Sequence, residues 1–125
     1  MIKQLKSSEI KNFINDNKNV ELLDVRTQEE WDNIGTPDGE NLGLKTHFVT
    51  IVRSLEPSAN KNFIEKVKKV TDPNKELLIM CKAGGRSMMA AQLLSQENII
   101  CVNISDGFEG NNENVGWKDE GLPSK

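Results

Sequence analysis

Three apolar runs constrain this chain more than any other feature: Val20-Glu21-Leu22-Leu23-Asp24-Val25, Leu77-Leu78-Ile79-Met80-Cys81 and Ile99-Ile100-Cys101-Val102-Asn103-Ile104. A strand with one wet face alternates apolar and polar residues. Near-continuous runs such as these belong to strands covered on both faces, the habit of parallel sheets. Parallel strands need long crossovers, and the segments between the runs carry helical spacing. Ser7 stands where it would cap a helix burying Ile10, Phe13 and Ile14, which lie three and four apart. Thr27-Gln28-Glu29-Glu30 reads as a capping box opening a short helix, with Gly35 as its stop. Ser58 is placed to cap a helix with Phe63, Ile64, Val67 and Val70 on one face and Lys66, Lys68 and Lys69 toward solvent. The stretch from Met88 to Glu97 would bury Met89, Ala90, Leu93 and Leu94. Shorter strands are expected near Ile2 to Leu5 and near Asn41 to Leu44. The alternation predicts an α/β fold with a mainly parallel central sheet and helices on both faces. Ligands of such sheets bind beyond the carboxyl ends of the strands, where Asp24, Arg26 and Cys81 fall.

The 125 residues suit a single domain, 1–125, able to bury about two-thirds of its unfolded surface. A net charge of -3, with scattered lysines whose clusters do not alternate with aromatics, argues against a nucleic-acid partner. No apolar run approaches the roughly 18 residues of a membrane span, and the lysine-bearing start lacks the apolar core of a secretory signal. A cytoplasmic setting is the expectation, with no membrane partner. In that setting two cysteines read as free thiols. One histidine and two cysteines are too few for a zinc site, so neither a metal nor another cofactor is expected.

The second apolar run ends in Met80-Cys81-Lys82-Ala83-Gly84-Gly85-Arg86-Ser87, after which helical spacing begins. A strand, a Gly-rich turn and a helix start make an anion cradle, here with a thiol at its base. Thiolate is the nucleophile, and a free cysteine with a pKa of roughly 8.5 is little ionised near neutrality. Three features of the loop would favour the anion: unpaired N–H groups of the first helical turn, the helix dipole, and the charges of Lys82 and Arg86. Gly84 and Gly85 allow the backbone to curl with its donors inward. Cys101 has neither glycine nor cation beside it and reads as core packing.

At these residues the chain resembles the rhodanese family of sulfurtransferases. Leu22-Leu23-Asp24-Val25-Arg26 with Glu29-Glu30-Trp31 is similar to the family's first signature, and Cys81 to Ser87 to its active-site loop. Asp106-Gly107-Phe108-Glu109-Gly110, Gly116-Trp117 and Gly121-Leu122-Pro123 are similar to its closing segment. The resemblance implies a rhodanese-like three-layer domain with the active-site loop at 81–86. It implies Cys81 as the catalytic sulfur carrier, with Lys82, Ala83, Gly84, Gly85, Arg86 and Ser87 binding substrate. The donor would be a small molecule such as thiosulfate or a persulfide. The acceptor would be cyanide or a thiol, with a protein persulfide partner as a further possibility. Four residues separate Cys81 from Arg86. Related dual-specificity phosphatase loops enclose five, so the shorter loop implies sulfur rather than phosphate as cargo. The rival reading is a non-catalytic rhodanese-like module that binds a partner or carries persulfide to it.

Asp24 and Arg26 are expected to support the crevice by ion pairing, and Trp31 to pack in the core or at the rim. His47 is read as a surface or packing residue. The segment from Ile34 to Asn41 departs from the family's Gly-His-Ile-Pro-Gly-Ala pattern, which predicts an altered crevice rim around Thr36. The polar stretch Asn111 to Val115 is expected to be a mobile flap near that rim.

Overall fold

A computed structural model describes residues 2–125. Among these residues five strands form one sheet: β1 (Lys3–Leu5), β2 (Val20–Asp24), β3 (Thr46–Phe48), β4 (Glu76–Met80) and β5 (Cys101–Ile104). Their order is β1-β5-β4-β2-β3, and every pairing is parallel. The central strands β2 and β5 are buried at every position, as their apolar runs require. Leu22, Leu78, Met80, Val102 and Ile104 face a core closed by Ile10 and Ile14 of α1 (Ile10–Asp16) and by Trp117 of α5 (Gly116–Asp119). Leu23, Leu77, Ile79 and Cys101 face a second core closed by α3 (Pro57–Val70) and α4 (Gly85–Ser95). The domain therefore has three layers, with helices on both faces of the sheet. Burying Leu77, Leu78 and Ile79 completely contributes about 2 kcal/mol of transfer free energy each.

Several local expectations are corrected. Asn41 to Leu44 is not a strand: Gly39–Leu42 is a 3-10 turn, and the edge strand lies two residues later at Thr46–Phe48. Gly39 packs under Leu22 and Thr46 so tightly that a side chain there would collide, which fixes the turn against the sheet. Ser7 does not cap α1. Its N–H and hydroxyl both donate to the Asp106 carboxylate, and the residue opens a 3-10 turn instead. The third helix begins earlier than Ser58, because Pro57 suits the first helical turn, where its missing N–H is not needed. Val70 ends that helix exposed rather than buried. The fourth helix starts at Gly85, so the cysteine loop runs directly into it.

The capping box is present as expected. Thr27 Oγ1 accepts the Glu30 N–H at 3.2 Å, the Glu30 carboxylate accepts the Thr27 N–H, and α2 (Gln28–Ile34) stops at Gly35 with φ +110°.

Candidate active site

The register places the chemistry. Asp24 pairs with Met80, so Asp24 and Cys81 emerge side by side at the carboxyl ends of β2 and β4. The Val25 N–H donates to the Met80 carbonyl at 2.9 Å and prolongs the pairing to the edge of the loop. Cys81 Sγ then lies at the N-terminus of α4. The Gly84 N–H donates to the sulfur at 3.1 Å, and Ser87 Oγ lies 3.2 Å from it. Gly84 has φ +106°, and a Cβ there would stand 2.2 Å from the Ser105 carbonyl oxygen, so only glycine allows this close turn. The Ser87 hydroxyl donates to Asn103 Oδ1, while Asn103 Nδ2 donates to the Gly84 carbonyl and to Gln4 Oε1. With its proton on Asn103, Ser87 accepts from the Cys81 thiol. One strand residue thereby fixes both the glycine turn and the serine against the sulfur. Cys81 is only 1% exposed, so a terminal atom of a ligand is all that reaches it.

The closing segment seals the loop from below. The Phe108 N–H donates to the Cys81 carbonyl at 2.8 Å and the Glu109 N–H to the Lys82 carbonyl at 3.0 Å. Asp24 and Arg26 form a fully buried ion pair. Arg26 Nη2 donates to Asp24 Oδ2 at 2.8 Å, and Nε reaches both carboxylate oxygens at 3.1 Å. The guanidinium also donates to the Gly35 carbonyl and lies 4.3 Å over the Phe108 ring. The pair thus ties β2, the end of α2 and the closing segment together beneath the loop.

Among the residues expected to bind substrate, Gly84 and Ser87 touch the sulfur, while Lys82, Ala83 and Gly85 are exposed along the loop. Arg86 is engaged elsewhere. Its Nη1 and Nη2 donate to the two Glu30 oxygens at 2.6 and 2.8 Å. That bond, opposed by partial burial and helped by the Thr27 N–H, brings the Glu30 carboxyl from its usual 4.5 down to about 2, and the same bond raises Arg86. Burial pushes the Cys101 thiol up to about 12, so it stays protonated and inert.

Trp31 and His47 pack as expected, whereas two further readings change, at Thr36 and at Asn111. Trp31 packs edge-on against Phe48, with ring centroids 5.2 Å apart. His47 is buried, its Nε2 2.8 Å from Glu21 Oε1, and serves packing. Of the segment from Ile34 to Asn41, Ile34 lines the groove beside Lys82 and Arg86, whereas Thr36 lies away from the cysteine loop. Its N–H and carbonyl pair with Lys125, and it lines a groove with Trp31 and Phe48 that includes no residue of the Cys81 loop. Asn111 to Val115 is not a loose flap. Asn111 Oδ1 accepts the Glu113 and Asn114 N–H groups at 2.9 Å, and its own N–H donates to the Asn114 carbonyl.

Sequence reasoning missed Glu30 and Asn103 as members of the site. Glu30 was accounted for by its capping box, and Asn103 sits inside an apolar strand. A polar residue in a run buried on both faces was the available signal. Among the described residues no group of three His, Cys, Asp or Glu side chains is placed to hold a metal. Likewise no helix among them is long and apolar enough to cross a membrane.

Fold and site together define a parallel α/β domain with a thiol at the floor of a helix-N-terminal loop. The sequence profile of the family described as the STR4 middle domain matches residues 5–125. An uncharacterized protein of Rickettsia prowazekii is 35% identical over 98% of this chain and 97% of its own length. The crystal structure of a protein from M. tuberculosis superposes with a TM-score of 0.81 at 27% identity, covering 98% of this chain and 96% of that one. A rhodanese-like domain protein from Staphylococcus aureus gives a TM-score of 0.68 at 25% identity, covering 99% of each chain. The chain belongs to the rhodanese-like family.

Proposed function

We propose that this protein is a sulfurtransferase that moves sulfane sulfur from thiosulfate or a persulfide to a thiophilic acceptor, carrying it on Cys81. The observation behind this reading is the sulfur itself: Sγ at the start of α4, accepting the Gly84 N–H at 3.1 Å, at the bottom of a loop only four residues long. Cys81 thiolate attacks the outer sulfur of thiosulfate. The new S–S bond forms as the old one breaks, giving Cys81 persulfide and sulfite, with the bonding pair leaving on sulfite. The loop N–H donors hold the persulfide anion, and the Ser87 hydroxyl turns its proton from Asn103 toward it. Cyanide or a thiolate then attacks the outer sulfur, and the pair returns to Cys81. This is double displacement without a general base. No cofactor takes part, and the reaction suits a reducing, cytoplasmic setting with a small thiol or a protein thiol as acceptor.

Intact-mass measurement after incubation with thiosulfate tests the proposal. The expected result is a gain of one sulfur atom, lost on adding cyanide and absent in Cys81→Ser. Failure to take up sulfur from thiosulfate, polysulfide and glutathione persulfide alike refutes turnover and leaves a binding module.

A further inference from the structure

Arg53 lies in the connection between β3 and α3, outside every signature segment. The chain reaches it along the edge of β2. The Val49 N–H donates to the Asp24 carbonyl at 3.1 Å, Thr50 Oγ1 to the Arg26 carbonyl at 2.7 Å and the Ile51 N–H to the Val25 carbonyl at 3.1 Å. The backbone is therefore tied to the carboxyl end of the sheet until two residues before the arginine. From there the side chain reaches the cysteine loop. A Cβ built on Gly85, the first residue of α4, would stand 3.3 Å from Arg53 Nη2. The guanidinium is thus parked at the opening turn of the helix whose N-terminus holds the sulfur. It is exposed, and among the described residues it makes no ion pair.

A separate groove along the loop is lined by two cations, Lys82 and Arg86, against three carboxylates, Glu29, Glu30 and Glu109. Arg86 spends both its outer nitrogens on Glu30. An anion approaching along that groove meets a surface with no cationic excess, whereas beside Gly85 it meets an uncompensated guanidinium.

We propose that Arg53 receives the anionic end of the sulfur donor and selects donors whose charge lies opposite the transferred sulfur. The identity of the donor rests on the sulfurtransferase reading; the place of the cation does not. Thiosulfate has this shape. With its outer sulfur on Cys81, itself 1% exposed, the sulfonate must project toward the rim. A guanidinium fork matches two sulfonate oxygens. As the S–S bond breaks, both charges of the departing sulfite gather at that end, so the contact strengthens along the reaction.

Thiosulfonate reagents that are identical except for an anionic or a cationic tail test the idea on the full chain. Each forms a disulfide with Cys81 and expels methanesulfinate, so no turnover is needed. A unit charge about 6 Å from the tail in a water-like dielectric alters each rate about threefold, in opposite directions. The anionic-to-cationic rate ratio should therefore fall about tenfold in Arg53→Gln and return in Arg53→Lys. High salt should narrow the difference. In Arg53→Gln the KM for thiosulfate should rise more than that for glutathione persulfide. An unchanged reagent ratio overturns the assignment of Arg53, even if sulfur transfer is intact. A shifted ratio in a protein that takes up no sulfur keeps the assignment and refutes the function.

Discussion

Replacing Glu30 by Gln keeps the capping-box acceptor for the Thr27 N–H and removes the charge that clamps Arg86. The depression of the Glu30 carboxyl from 4.5 to about 2 measures how much better the folded state holds the carboxylate. At about 1.36 kcal/mol per unit, the 2.5-unit difference corresponds to about 3 kcal/mol. Both side chains remain 21% exposed, and solvent screening lowers the expected loss to about 2 kcal/mol. The sign follows from linkage. The folded-state value is the lower one, so the contribution is complete above pH 4.5 and is lost as the pH falls toward 2. Urea unfolding of the wild type and Glu30→Gln should differ by a constant amount from pH 5.5 to 8. The difference should then shrink by about 1 kcal/mol between pH 6 and 3.5, as the unfolded carboxylate binds its proton first. A double-mutant cycle with Arg86→Met isolates the pair and should return a coupling of about 1.5 to 3 kcal/mol. A coupling below about 0.5 kcal/mol, or a difference that survives undiminished at pH 3.5, would refute the view that Glu30 clamps Arg86.

Three further substitutions separate burial from backbone freedom. Asp24→Asn leaves the Arg26 guanidinium fully buried and still charged, and should cost about 3 to 5 kcal/mol in urea unfolding; a loss below about 1 kcal/mol would mean that the Phe108 ring and the Gly35 carbonyl suffice. Gly107→Ala and Gly121→Ala both place a side chain at positive φ, but only the first meets backbone, with Lys82 and Cys81 carbonyl oxygens 2.4 and 2.6 Å away. Gly121→Ala should cost about 1 kcal/mol, whereas Gly107→Ala should unfold the protein or displace the loop; equal thermal midpoints for the two would contradict the packing described.

The layered fold was legible because continuous apolar runs and helical spacing are local signals. Cys81 and its glycines were legible for the same reason, since a strand, a tight turn and a helix follow one another without interruption. The edge strand β3 was not. It has three residues, only His47 of them buried, and it depends on β2 for its pairing. The partners of Arg86 and Arg53 were hidden by sequence distance. Glu30 lies 56 residues from Arg86, and nothing local to Arg53 distinguishes it from any loop cation. Charge and position near a cysteine do not reveal that Arg86 meets a bidentate acceptor brought in by the helix α2.

The three signature segments converge for one physical reason: a loop with a buried sulfur at its floor needs support on every side. The first supplies Asp24 and Arg26 beneath it, and Glu30 holds Arg86 at its far end. The loop supplies its own glycine at φ +106° against the Ser105 carbonyl. The closing segment brings Gly107 so near the Cys81 and Lys82 carbonyls that no side chain fits, and its next two N–H groups donate to those oxygens. Each part answers a local demand: a buried charge needs its partner, a strained turn needs glycine, a buried carbonyl needs a donor. None of these demands specifies what the sulfur carries. That choice falls to groups with no structural debt, and at the mouth of this loop Arg53 is a cation that makes no ion pair among the described residues.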